Sequence, residues 1–199
     1  MAKSPSITGL FFGSFDPVHL GHLVIAEYIY TNSAIENIWF VISPQNPLKS
    51  QLEQTDCYKR KEMLELAIKD NPHFAICDIE FQMPAPHYTY QTLQLLKTKY
   101  PQKDFVLIIG SDNLENFDKW KDHQKILEMM DIYVYPRIGF QSYKHGKSKK
   151  VHIVEAPLME ISSTYIRNSF SRNQPIKYML HKEVYEYITQ SKLYSGTGK

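Results

Sequence analysis

Two histidines, His19 and His22, stand three residues apart in the stretch GSFDPVHLGH, which leaves an apolar run and opens a segment with helical patterning. Residues three apart on a helix share a face, and each imidazole can offer a ring N–H to an anionic oxygen. The turn before a helix also exposes unpaired backbone N–H groups and the positive end of the helix dipole, so it suits a phosphate. Gly13 and Ser14 leave room for a ligand to approach the backbone there. The lysine-bearing loop GxxxxGK[ST] and the turn GxGxxG are both absent from the chain, so the paired imidazoles take the role that lysine has in a P-loop. A lone histidine would more often cap the helix or pack in the core; two in this turn favour the phosphate.

A second stretch, ISSTYIR at 161–167, carries the same chemistry. Ser162, Ser163 and Thr164 are N-cap residue types at the start of another predicted helix, and Arg167 follows one turn in with a planar fork suited to phosphate. Read alone, it could be plain capping beside a solvated arginine. Beside the histidine turn it predicts two helix N-termini flanking one polyphosphate.

These residues need a scaffold, and the hydrophobic periodicity supplies one. Runs at 7–12, 37–43, 74–81, 104–109, 131–135 and 151–154 read as strands. Helical patterns at 20–30, 56–69, 88–99 and 123–130 alternate with them, with a short helical segment near Leu114, and from Ser163 onward the chain reads as helices alone. Alternation of this kind predicts an α/β fold, a doubly wound Rossmann-like parallel sheet with helices on both faces and a helical C-terminal segment, with 1–199 as one domain. Ligands in such sheets bind beyond the carboxyl ends of the strands where strand order reverses, in the common order between strands one and four. Gly13 and Ser14 follow strand one and Gly110, Ser111 and Asp112 follow strand four, so these turns are expected to face one crevice. Residues 138–150 are polar and basic and read as a surface loop, with an anion-contacting flap as the other possibility.

Composition narrows the partners. The chain has 199 residues, 43% apolar and 22% charged, with a formal net charge of +2. So small a charge predicts no nucleic-acid partner. No run approaches the roughly 20 apolar residues of a membrane span, so no membrane partner is expected. Cys57 and Cys77 lack metal-ligand spacing, which favours a reducing cytoplasm over a disulfide framework and gives no metal site.

With these residues in view, the chain resembles the HxGH nucleotidyltransferases and, within them, the bacterial nicotinate-mononucleotide adenylyltransferases. GSFDPVHLGH is similar to that family's G-[ST]-F-D-P-x-H-x-G-H, HYTYQTL at 87–93 to S-Y-T-x-x-T-L, and IIGSDNLENFDKW at 108–120 to G-[AS]-D-x-L followed by tryptophan. YPR at 135–137 and ISSTYIR match two further segments. The chain departs from the family in having His87 for a serine and Asn46-Pro47-Leu48-Lys49 where P-P-H-K is common.

The resemblance implies transfer of AMP from ATP to nicotinate mononucleotide, with Mg2+ carried by ATP. The sequence holds no dedicated metal cage, and Asp16 and Asp112 are no more than candidates for contacting the ion. It implies His19, His22 and Arg167 as catalytic residues. The ATP site would comprise Gly13, Ser14, Phe15, Gly110, Ser111, Asp112, Ile161, Ser162, Ser163 and Thr164. The mononucleotide site would comprise Asn46, Lys49, Tyr88, Thr89, Trp120 and Arg137, with Trp120 on the pyridine ring and backbone N–H groups near Thr89 on its carboxylate. Trp120 could otherwise be core packing, and Asp16, next to Pro17, could simply form the turn. The alternatives are an HxGH enzyme acting on phosphopantetheine or nicotinamide mononucleotide, and a nucleotide-binding regulator without catalysis.

Overall fold

A computed structural model describes residues 6–44, 54–140, 148–174 and 176–196. Its strands are β1 (Ile7–Gly13), β2 (Asn37–Ile42), β3 (Phe74–Cys77), β4 (Asp104–Gly110), β5 (Ile132–Tyr135) and β6 (Val151–Ile153). They form a 6-stranded sheet in the order β3-β2-β1-β4-β5-β6, with every neighbouring pair parallel. The helices are α1 (Leu20–Thr31), α2 (Cys57–Ile68), α3 (Thr89–Lys99), α4 (Ser111–Glu115), α5 (His123–Met129), α6 (Ser163–Ser171) and α7 (Lys182–Gln190). The expected strand alternation and helical C-terminal segment are both found.

Side chains alternate across a strand with a period of two, and the central strands use both faces. Phe11, Phe40 and Ile108 enter one core with Ile25 and Ile29 of α1, Met63 and Leu64 of α2, Ile166 of α6 and Val184 of α7. Leu10, Val41, Leu107 and Ile109 enter the other with Leu93 and Leu96 of α3, Leu114 of α4 and Ile126 of α5. This is why these strands are predominantly apolar: their central residues meet water on neither face.

One expected element is shorter. The run at 74–81 is a strand only as far as Cys77, and Ile79–Gln82 forms a 3-10 turn. The bend carries Glu80 under α3, where it is 2% exposed and accepts a hydrogen bond from Thr92 Oγ1 at 2.8 Å. A carboxyl that finds its partner on α3 overrides the apolar pattern that would have continued the strand.

Candidate active site

Strand order reverses between β1 and β4, which pair directly, so the chain leaves the sheet there in opposite directions and opens a crevice at the carboxyl ends. From β1 it passes through Gly13–Val18 into α1; from β4 it passes directly into α4, whose N-cap is Gly110. A Cβ at Gly110 would lie 2.3 Å from Asp112 Oδ1, so a side chain there would push the Asp112 carboxylate aside. The Asp112 carboxylate lies back over the end of β4, 3.8 Å from Arg137 Nε. Ser111 Oγ accepts from Arg137 N at 2.9 Å, which ties the end of β5 to the end of β4.

His19 is the N-cap of α1 and His22 is its third helical residue. Their rings stack with centroids 3.7 Å apart, and His22 Nδ1 accepts a hydrogen bond from the backbone N–H of His19 at 3.3 Å. A ring nitrogen that accepts carries no proton, so neutral His22 holds its proton on Nε2 and can donate from there. The glycine between the histidines leaves room for the His19 ring: a Cβ on Gly21 would sit 3.0 Å from His19 Nδ1 and press on it.

Both imidazoles are held neutral. His19 is 4% exposed, and burial, with the nearby Arg137 charge, pushes its pKa down to about 3. Burial, then His19 and Arg137, holds His22 well below the usual range. The cause is visible in its neighbours, Phe15 at 5.1 Å and Phe11 at 6.1 Å between ring centroids. Phe15, expected at the nucleotide, is itself 2% exposed, which leaves its backbone as the part that can face a ligand.

The second signal joins the first through direct bonds. Ser163 Oγ donates to Pro17 O at 3.0 Å, and Arg167 Nη1 donates to Asp16 O at 2.7 Å. Ser162 is the N-cap of α6, its hydroxyl accepting from Tyr165 N at 3.2 Å. Ser162 therefore caps the helix, Ser163 stitches α6 to the histidine turn, and Arg167 lies across that turn with Nη2 3.4 Å from Thr164 Oγ1. Two helix N-termini, two neutral imidazoles and a guanidinium meet at one place, an arrangement able to receive several negative charges.

On the other side of the crevice, Tyr88 caps α3 and Thr89 is its first residue, so the unpaired N–H groups of that helix end lie there. Lys121 Nζ sits 4.3 Å from the centre of the Tyr88 ring, which brings the segment after Trp120 against the start of α3. The Trp120 ring is half-buried and packs on Phe117, 5.3 Å between centroids, so core contact and an accessible face coexist. The charge of Arg137 helps to lower the pKa of both histidines. Asn46 and Lys49 lie outside the described residues, as do 141–147 of the basic loop.

Asp16 does not suit a metal. It is 2% exposed, with Oδ1 accepting from Tyr194 Oη at 2.7 Å and Oδ2 from Thr55 N at 3.2 Å. Among the described residues no group of three or more His, Cys, Asp or Glu could hold a metal ion, and no helix is long and apolar enough to cross a membrane. Cys57 and Cys77 are free thiols.

Two residues not singled out in the sequence complete the frame. Arg60, 0% exposed, donates to the carbonyls of Thr55, Ser14, Ser43 and Pro44 at 2.6–2.9 Å. Its signal was an arginine in the register of the apolar stripe of α2, with Met63, Leu64 and Ile68. Tyr194 reaches Asp16 from beyond α7; burial and then the Asp16 charge push its phenol above the ordinary range, so it remains a donor.

Comparison with known proteins identifies the family. The cytidylyltransferase-like family model matches residues 10–169. The probable nicotinate-nucleotide adenylyltransferase of Cytophaga hutchinsonii is 46% identical over 188 residues, 94% of this chain and 98% of that protein. Its counterpart in Bacteroides thetaiotaomicron is 42% identical over 191 residues, 96% of this chain and 95% of that protein. Among solved structures, Plasmodium falciparum nicotinic acid mononucleotide adenylyltransferase complexed with NaAD superposes with a TM-score of 0.82 at 23% identity, covering 95% of this chain and 97% of that one. That likeness speaks for the fold, and the sequence relatives speak for the family: the chain belongs to the nicotinate-nucleotide adenylyltransferases of the cytidylyltransferase-like family.

Proposed function

We infer that the protein transfers the adenylyl group of ATP to the phosphate of nicotinate mononucleotide, giving nicotinate adenine dinucleotide and pyrophosphate. A phosphate oxygen of the mononucleotide forms a bond to the α-phosphorus of ATP, and the bond from that phosphorus to the bridging oxygen breaks as pyrophosphate leaves. The attacking group is already an anion, so the reaction needs no general base. Catalysis rests on alignment and on donors for charge that spreads over the phosphoryl oxygens.

The observation that carries this reading is the pair of bonds from Ser163 to Pro17 and from Arg167 to Asp16, which unite α6 with the histidine turn. In our reading, His19 and His22 donate neutral N–H groups to the reacting phosphates, while Arg167 and the first amides of α6 take the departing pyrophosphate. Gly13, Ser14, the Phe15 backbone, Gly110, Ser111, Asp112, Ile161, Ser162 and Thr164 form the walls of the ATP site in this reading.

The mononucleotide would lie against Trp120, its carboxylate on the amides at the start of α3 beside Tyr88 and Thr89. Arg137, Asn46 and Lys49 complete that site in our proposal. Mg2+ would arrive with ATP and offset the charge of its phosphates; the Asp16 oxygens are already engaged, which leaves Asp112 as the side chain of the two that could reach it. Free thiols and the use of ATP suit a cytoplasmic enzyme acting as one domain. The test is pyrophosphate release from ATP with nicotinate mononucleotide, nicotinamide mononucleotide and phosphopantetheine supplied in turn. Release is expected with the first in preference to the others; equal rates with the first two would defeat the carboxylate assignment.

A further inference from the structure

Asp16 is a buried carboxylate that no step of the transfer uses. It lies at the centre of a network built from three distant parts of the chain. Its Oδ1 accepts from Tyr194 Oη at 2.7 Å, and its Oδ2 accepts from Thr55 N at 3.2 Å and lies 3.9 Å from Arg167 Nη1. Its own carbonyl accepts from the same Nη1 at 2.7 Å. The Arg167 side chain is 22% exposed, against 3% for that of Asp16; its Nη1 bond to Asp16 is partly buried, while its Nη2 contact with Thr164 is exposed. A guanidinium is a rigid plane with five N–H donors. Fixing Nη1 therefore fixes the direction of the rest.

Tyr194 closes the network from the C-terminal side. It lies beyond α7, in a stretch where Lys192 and Tyr194 both have left-handed backbone, φ 52 and 63. Residues with side chains keep that conformation only where neighbours hold them in it. The phenol donates to a carboxylate that is enclosed by protein, the setting in which one hydrogen bond decides an orientation.

We propose that Asp16 and Tyr194 are positioning residues for ATP binding, aiming the Arg167 guanidinium at the departing phosphates through the Tyr194 Oη–Asp16–Arg167 chain of contacts. The proposal rests on the reading of Arg167 as a phosphate ligand. Among the described residues, none of the hydrogen bonds of Asp16, Tyr194 and Arg167 reaches α3 or the Trp120 turn on the mononucleotide side, so ATP and mononucleotide binding should respond differently to the loss of this network.

The experiment is a double-mutant cycle on ATP dissociation constants, measured by calorimetry, with steady-state KM values for both substrates. Tyr194→Phe removes one hydroxyl and nothing else. It should weaken ATP binding by about tenfold, the scale of one hydrogen bond to a charged group, and leave the KM for nicotinate mononucleotide unchanged. In an Arg167→Ala background the same substitution should add no further loss, because there is no guanidinium left to aim. Asp16→Asn is the second variant, with the same split expected between the two substrates. Wild-type ATP affinity in Tyr194→Phe, or an equal loss in both backgrounds, overturns the positioning role and leaves a structural one. Unchanged ATP affinity in Arg167→Ala itself would instead overturn the phosphate-ligand reading, and the positioning proposal with it.

Discussion

His22 Nδ1 accepts the backbone N–H of His19 while the two rings lie 3.7 Å apart, so one contact caps a helix and also sets which nitrogen of His22 can donate. Structural and chemical roles are not rivals at this residue; the cap consumes one nitrogen and leaves the other. His22→Ala should therefore keep the fold, at a cost of about 1 kcal/mol for the lost cap. Turnover should fall about a hundredfold or more, the scale of losing a donor that acts in the transition state. Steady-state kinetics beside a thermal melt separates the two effects, and near-normal turnover would remove His22 from the mechanism.

The neutrality of the pair predicts how stability depends on pH. The folded pKa of His19 is about 3 against an ordinary 6.5, so the unfolded chain binds more protons than the folded one between those values. The stability held above about pH 6.5 is lost as pH falls through that window. His22, lowered for the same reason, adds to the loss. Melting curves of the ligand-free protein from pH 7 down to about 4.5 should show a steep decline, and His19→Gln should flatten it. A variant whose decline tracks the wild type would mean that other groups set the acid sensitivity.

The histidine turn was legible in the sequence because it depends on local facts: a strand end, a glycine, helix-start spacing and two rings one turn apart. The sheet order was legible because predominantly apolar strands alternating with helices admit few topologies. What joins α6 to that turn was not legible. The Ser163–Pro17 and Arg167–Asp16 bonds span separations of 146 and 151 residues, and no spacing rule reaches so far. Phe15 was legible only in part: it lies within the phosphate motif, but that its ring fills the core and leaves only its backbone for a ligand depends on tertiary packing. The strand expected to reach 81 stopped at Cys77 because Glu80 bonds to Thr92, a tertiary partner that overrides local pattern.

Trp120 can be tested apart from the phosphates. Its ring packs on Phe117 along one side, so Trp120→Phe should retain packing and much of the stacking on a pyridine ring, whereas Trp120→Ala removes both. The expected outcome is a KM for nicotinate mononucleotide raised about tenfold in Trp120→Ala and only modestly in Trp120→Phe, with the KM for ATP unchanged in each. A parallel rise in both KM values would assign Trp120 to the core alone.

Arg60 makes the strongest demand on stability. Its guanidinium donates to Thr55 O, Ser14 O, Ser43 O and Pro44 O, carbonyls from the segments that follow β1, follow β2 and precede α2. Arg60→Met keeps the volume of the stem but leaves these carbonyls without their donor in a place that is 0% exposed. At about 1–3 kcal/mol for each unsatisfied buried group, with partial relaxation, the loss should be roughly 3–5 kcal/mol in urea denaturation. Arg60→Lys should not restore it, because an ammonium is a point donor and cannot span carbonyls on three segments as a planar fork does. Since Ser14 belongs to the histidine turn, the surviving folded fraction of either variant should also show a raised KM for ATP. Full stability in Arg60→Met would mean that the turn is held by its own contacts and that the buried cation is dispensable.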